Sequence, residues 1–395
     1  MGFRKFRSSQ LFTGSAMLDD SQVLVTQEDG TIEAIVPLPD AGEGIQTIDG
    51  ILSPGFVNCH CHLELSHMQD RIPEKTGLVD FVFSVVKDRH FPEEAILDAI
   101  DRAETDMLTH GIVAVGDICN NTLTVPQKQK GRMAYYNFVE VTGFLPPAAQ
   151  SRFDTSYEYY QAFQQLTQPQ TPNPKPQTSL SPHAPYSVSD NLWKLIQPFF
   201  NRQTVTIHNQ ETAFEDSLFK NKEGDFMRMY QMMQMDTSFF QPTGKSSLQS
   251  YLANMKEAAQ ILLVHNTFTQ EADIQYAASV SDHINWCLCI NANQYIEQRL
   301  PPVELLRQQD ARIVLGTDSL ASNHSLSILD EIKTLLKHFP HLPIPELLTW
   351  ATLNGAQALQ MDGSLGSFEA GKTPGVINIL GLESSTDYAK VVRVL

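Results

Sequence analysis

The chain has 395 residues, 42% of them hydrophobic and 18% charged, and a formal net charge of −17. That is enough apolar material for a large core, in one big domain with a small one or in two or three domains. The acidic balance argues against a nucleic-acid backbone or an anionic membrane surface as main partner, because both call for a basic face.

The opening MGFRKFRSSQLFTG is basic but lacks the apolar core of a signal peptide. Residues 1–52 carry short strand patterns, and the runs 22–27 and 31–36 flank Glu28, Asp29 and Gly30, a hairpin signal. Past Pro54 the texture changes to strands alternating with helices. Strands are expected at 55–61, 112–118, 133–141, 178–183, 204–208, 261–265, 285–291 and 312–317. Helical patterns lie at 78–89, 92–110, 190–200, 271–280, 302–309 and 327–338, the second with Pro92 near its start and Gly111 just past its end. This rhythm predicts an α/β fold of parallel strands with helical crossovers. Eight units predict a (β/α)8 TIM-like barrel, with an open doubly wound sheet as runner-up.

The Pro-rich stretch 168–178 is expected to be an extended surface connection. The Met-rich run 227–235 is expected to be helical core. After a helix at 347–359 the tail returns to turns and short strands. The expected domains are therefore a small β-sandwich built from 1–52 and 362–395, and a barrel over 53–361. No apolar run is long enough to span a bilayer. The five cysteines, at 59, 61, 119, 287 and 289, are odd in number and lie in apolar runs, which predicts reduced thiols in a cytoplasmic protein.

His60 and His62 stand at i, i+2 at the end of the first barrel strand, so both rings face the same side and form half of a metal site. Later strands end in His183, in His208 with Glu211 three residues on, in His265 and in Asp318. Barrel enzymes keep their chemistry at these C-terminal strand ends. The histidines at 67, 90, 110, 283, 324, 338 and 341 fall mostly in helices or loops and are taken as ordinary polar residues. Three imidazoles and a carboxylate suit Zn²⁺, which makes water nucleophilic at neutral pH. A carboxylate outside the ligand set must then move protons, and Glu211 is placed to do so.

The motifs PGFVNCHCH (54–62), SPHAPYSVS (181–189), IHNQE (207–211), LLVHN (262–266), LGTDSLASN (315–323) and GSFEAGKTPGVINI (366–379) give the chain a clear resemblance. It resembles the amidohydrolase superfamily, in the mononuclear aminohydrolase branch of guanine, cytosine, S-adenosylhomocysteine and aminodeoxyfutalosine deaminases and triazine hydrolases. The resemblance implies one divalent metal, Zn²⁺ or Fe²⁺, on His60, His62, His208 and Asp318. It implies Glu211 as proton carrier to a ring nitrogen, His265 as the group polarising the attacking water or the developing oxyanion, and Asp318 as acceptor of the water's proton. His183 would contact substrate, as would Asn293, which stands where relatives carry a C-P-x-S-N run. Glu64 is either a substrate contact or a solvated loop carboxylate. The fourth strand lacks the lysine that bridges two metals in binuclear relatives. The implied reaction is hydrolytic deamination of an aromatic amine, a purine or a purine nucleoside-like compound. The alternatives are displacement on a triazine-like ring and a non-catalytic scaffold. A homodimer is the family expectation.

Overall fold

The computed structural model describes residues 2–167, 173–382 and 388–395. The chain opens with β1 (Phe3–Phe12), β2 (Met17–Asp19), β3 (Gln22–Gln27), β4 (Ile32–Pro37) and β5 (Ile45–Pro54). The expected hairpin joins β3 to β4. Gly30 takes φ +89°, Gln27 N–H donates to Thr31 O at 2.8 Å, and Asp29 Oδ1 accepts from Thr31 N at 3.0 Å.

The eight strands expected after Pro54 follow. They are β6 (Phe56–Cys61), β7 (Ile112–Cys119), β8 (Ala134–Val141), β9 (Gln177–Pro182), β10 (Thr204–Asn209), β11 (Gln260–His265), β12 (Ile284–Leu288) and β13 (Ile313–Leu315). They pair in parallel as two four-stranded sheets, β6-β7-β8-β9 and β10-β11-β12-β13, in the α/β arrangement of the TIM-barrel type. Nearly every residue of these strands is buried, as helices covering a parallel sheet require. At one seam between the sheets, His208 N–H donates to His183 O at 2.9 Å. At the other, Thr317 and Asp318 N–H both reach His60 O at 3.0 Å. Both seams lie beside the histidines singled out above.

Two closing strands, β14 (Val376–Leu380) and β15 (Lys390–Arg393), return to the start of the chain. One sheet of seven strands runs β15-β14-β5-β1-β3-β4, with β2 on β1. Leu24 packs with Phe6, Leu52 and Phe368, while its neighbours Val23 and Val25 pack with Ala41, so this sheet carries apolar contacts on both faces.

Three expectations change in detail. The seventh barrel strand stops at Leu288, because a helix, Ile290–Glu297, takes over two residues on. The helix expected at 347–359 is two, Ile344–Ala351 and Leu353–Ala358, broken at Thr352 (φ −128°, ψ −85°). The Thr352 hydroxyl donates to Leu348 O at 2.7 Å, a local bond that competes with helix continuation. The Met-rich run forms the helix Asp225–Met232, yet only Met229 of its methionines is buried and Met232 is more than half exposed. Residues 168–172 of the Pro-rich stretch lie outside the described residues. Among the described residues no helix is long and apolar enough to cross a membrane. All five cysteines are buried and free.

Behind the first barrel strands lies a buried ion pair that the sequence did not announce. Lys128 Nζ is 2.5 Å from Asp117 Oδ2 and 3.3 Å from Cys119 Sγ, with the Phe163 ring 4.7 Å away. Burial works to lower the Lys128 pKa, but Asp117 and Cys119 outweigh it and the net shift is upward. Asp117 Oδ1 also accepts Leu63 N–H at 2.9 Å, just after His62. Removing one partner of such a pair strands a charge in the core. Lys128→Met is therefore expected to destabilise the chain by about 3–5 kcal/mol, measured by urea denaturation.

Candidate active site

The site is built at the ends of β6, β10, β11 and β13. His60 projects from β6 and His62 follows that strand directly, two residues on along extended backbone. Gly316 lies directly behind them, where a Cβ would come within 2.8 Å of His60 Cβ. His208 comes from β10, and His265 ends β11 with φ +73°. Asp318 follows β13 with φ +58°, a left-handed backbone that non-glycine residues adopt rarely and that clusters at functional sites.

Four of these side chains converge. His62 Nε2 is 3.3 Å from His208 Nε2 and 3.3 Å from Asp318 Oδ1, and His60 Nε2 is 3.6 Å from the same Asp318 oxygen. The donor atoms of His60, His62 and Asp318 lie within 4.8 Å of one another, and so do those of His60, His208 and His265. His265 thus borders the cluster, and its Nε2 is 3.7 Å from Glu211 Oε1.

Supporting contacts fix which atoms face inward. His208 Nδ1 is 2.7 Å from His183 O, so that nitrogen carries the proton and Nε2 is left with a free lone pair. Ser322 Oγ donates to Asp318 Oδ2 at 2.5 Å, leaving Oδ1 toward the imidazoles. His265 Nδ1 is 2.8 Å from Asn293 Oδ1, and Asn293 Nδ2 donates to His265 O at 3.2 Å. Both ends of the Asn293 amide are thereby given to His265. Expected as a substrate contact, Asn293 is instead buried on the helix Ile290–Glu297, because the shortened β12 starts that helix early enough to tuck it beneath His265.

Electrostatics follow from burial. Burial pushes His62 down to about 3 and His208 well below its ordinary value, so both imidazoles are neutral and ready to ligate. Burial alone would raise Asp318, but the His60, His62 and His265 rings outweigh it and hold the carboxyl well below the usual range. Glu211 moves the other way. Burial first, then the charges of Asp318 and Glu297, raise it well above a normal glutamate.

The donor set fits a divalent cation. His60 is fully buried, and neither of its ring nitrogens has a hydrogen-bond partner among the described residues. Orphaned buried polar atoms are costly, and a cation shared with His62, His208 and Asp318 satisfies Nε2. Three imidazoles and one carboxylate suit Zn²⁺ while leaving room for water.

A cleft of about 240 Å³ opens onto the cluster, lined by His62, His183, His208, Glu211, His265 and Asp318 among others. A second chamber of about 370 Å³ shares Val82, Thr142, His183 and Tyr186 with it. Its walls are nearly all apolar, including Met229, Met233 and Phe144, the last stacked on Tyr230 at 4.1 Å. The helix Leu78–Asp88 lies over both, through Val82 and Val86.

The model of the family described as Amidohydrolase family matches residues 51–392. The chain belongs to the amidohydrolase family. This amidohydrolase is 25% identical over 382 residues to the 5-methylthioadenosine/S-adenosylhomocysteine deaminase of Teredinibacter turnerae, covering 92% of the chain and 80% of that protein. It is 26% identical over 338 residues to the aminodeoxyfutalosine deaminase of Nitratiruptor sp., covering 82% and 77%. Among solved structures it resembles Helicobacter pylori aminofutalosine deaminase in complex with methylthio-coformycin. That match has TM-score 0.81, 22% identity and coverage of 98% and 97%, and it bears on the fold.

The remaining expected residues of this amidohydrolase also face the cleft. His183 lines it, its Nδ1 2.8 Å from Ser187 Oγ, and burial lowers it to about 4. Glu64 is no solvated loop residue. It is buried, accepts Arg89 Nη2 at 3.3 Å and Asn120 N–H at 3.1 Å, and burial raises it to about 7. Sequence reasoning missed Glu140. This residue of β8 is buried in the cleft wall, accepts Asn120 Nδ2 at 2.8 Å, and keeps Oε1 without a hydrogen bond 3.4 Å from His208 Nδ1. Its signal was available, since it is another titratable residue near the C-terminal end of a barrel strand.

Proposed function

We propose that this amidohydrolase is a hydrolytic deaminase of adenosine-type nucleosides, dependent on one divalent cation, Zn²⁺ above Fe²⁺. The observation that carries this reading is the packing of His62 Nε2 at 3.3 Å from both His208 Nε2 and Asp318 Oδ1, with Glu211 and His265 facing the same cleft. The named activities of relatives, deaminases of nucleosides of the adenosine kind, support it. The apolar chamber that shares Val82, Val86, Thr142, His183 and Tyr186 with the cleft supports a nucleoside bearing a substituent over a bare base. The two seams support closure of the eight strands into one barrel over 53–361, with the end sheet of 1–52 and 362–395 as a small sandwich-like domain. The free buried thiols fit a reducing cytoplasm.

When bound, the cation acts as a Lewis acid and makes water a competent nucleophile near neutral pH. The residues of the chain do the rest. Glu211 delivers a proton to the ring nitrogen beside the amino-bearing carbon, which makes that carbon electrophilic. As the water oxygen bonds to the carbon, Asp318 takes the released proton. His265, its Nδ1 proton held by Asn293 Oδ1, presents the Nε2 lone pair to a hydrogen of the attacking water and polarises that O–H bond. The C–N bond then breaks: the new hydroxyl gives its proton back to Glu211 as it becomes C=O, the amino group takes the proton held by Asp318 and leaves as ammonia, and C–NH₂ plus H₂O has become C=O plus NH₃.

Purified chain supplied with Zn²⁺ and a panel of adenosine, 5′-deoxyadenosine, 5-methylthioadenosine, S-adenosylhomocysteine and aminodeoxyfutalosine is expected to release ammonia from at least one, and faster from substituted nucleosides than from adenine. Ammonia from none of the panel, with activity on a haloaromatic ring instead, defeats the proposal.

A further inference from the structure

The proton-carrying carboxylate sits on a turn, and the turn is held in an unusual way. Gln210, between Asn209 and Glu211, has φ +45° and is fully buried. Left-handed backbone at a residue other than glycine persists only where the surroundings over-determine it. Here every polar atom of Gln210 is engaged. Its N–H donates to Glu215 Oε1 at 3.0 Å and its C=O accepts Phe268 N–H at 3.0 Å. Its Nε2 donates to Asp273 Oδ2 at 2.9 Å and Asp216 Oδ1 at 3.2 Å, and its Oε1 accepts the Thr269 hydroxyl at 2.7 Å. The two carboxylates fix which end of the amide carries hydrogen.

These bonds lace the turn after β10 to the turn after β11. The lacing continues through Asn209, whose Nδ2 donates to Asn266 Oδ1 at 2.9 Å while its C=O accepts Asn266 N–H at 3.0 Å. Asn266 is itself left-handed, at φ +58°. Glu211 leaves one turn and His265 the other, and their side chains meet at 3.7 Å. Neither Gln210 nor Thr269 lines the cleft, so neither has a direct part in binding.

We infer that Gln210 and Thr269 are positioning residues, and that the hydroxyl-to-amide tie between them sets where Glu211 stands against His265. The inference rests on the proposed roles of Glu211 and His265. A misplacement of about 1 Å at a reacting group costs on the order of a hundredfold in rate. Thr269→Val, which removes the hydroxyl and keeps the shape, is therefore expected to lower kcat by about ten- to a hundredfold, with KM and bound metal unchanged. Thr269→Ser keeps the hydroxyl and is expected to restore most of kcat. Gln210→Gly tolerates the backbone but loses the tie, and its loss combined with Thr269→Val is expected to be less than additive. A residue serving only the fold would change thermal stability and leave kcat of the folded enzyme alone.

Crystal structures of the two Thr269 variants decide the tie without any substrate. Glu211 displaced from His265 in the Val variant and in place in the Ser variant supports it. Glu211 unmoved in both, or equal kcat in Thr269→Val and wild type, overturns it. Should the wild type turn over no nucleoside, the deaminase reading fails and the crystal structures still judge the tie.

Discussion

Glu211→Gln is expected to keep its metal and lose turnover by about 10²–10⁴-fold. The carboxylate is buried in the cleft, 3.7 Å from His265 Nε2, and lies outside the group formed by His60, His62 and Asp318. An amide there retains the shape and can donate a hydrogen bond, but it cannot pass a proton to a ring nitrogen and recover one from water. The fall should appear in kcat and kcat/KM together, because the lost interaction belongs to the transition state. Metal content measured on the same sample separates this outcome from loss of the site. Near-normal turnover would remove Glu211 from the mechanism.

The second large effect concerns the metal. His208→Ala should cut metal affinity by more than the 10–100-fold typical of losing an outer partner of a ligand, and abolish turnover with it. The fold should survive, because β10 keeps its ladder to β11. The measurement is metal per chain after dialysis against a weak chelator. Retention equal to wild type would show that His208 is not a ligand. Metal-loaded wild type should gain stability from binding, and the variant should lack that gain.

Much of this site was legible from strand periodicity alone. His60 and His62 share a face because a strand repeats every two residues, and the apolar runs that end in His208, His265 and Asp318 mark buried parallel strands. What escaped was set by contacts between distant segments. Asn293 became a partner of His265 only because a helix begins at Ile290, where the apolar run looked like more strand. Lys128 meets Asp117 inside the core through a short helix, Val125–Lys128, too brief to leave a periodic trace. Gln210 and Thr269 meet across 59 positions of sequence, and a left-handed glutamine has no sequence signature. The candidate site was readable because its titratable side chains sit at strand ends; the contacts that aim them were not, because each depends on a partner from another unit of the fold.

The central claim is that one ion is gripped by imidazoles from β6 and β10 and a carboxylate after β13. X-ray absorption at the zinc edge of the Zn²⁺-loaded chain tests it most directly. The expected first shell is nitrogen and oxygen at ~2.0–2.2 Å with imidazole scattering and no sulfur. A sulfur shell at ~2.3 Å would assign the ion to cysteines such as Cys59 or Cys61 and contradict the proposed site.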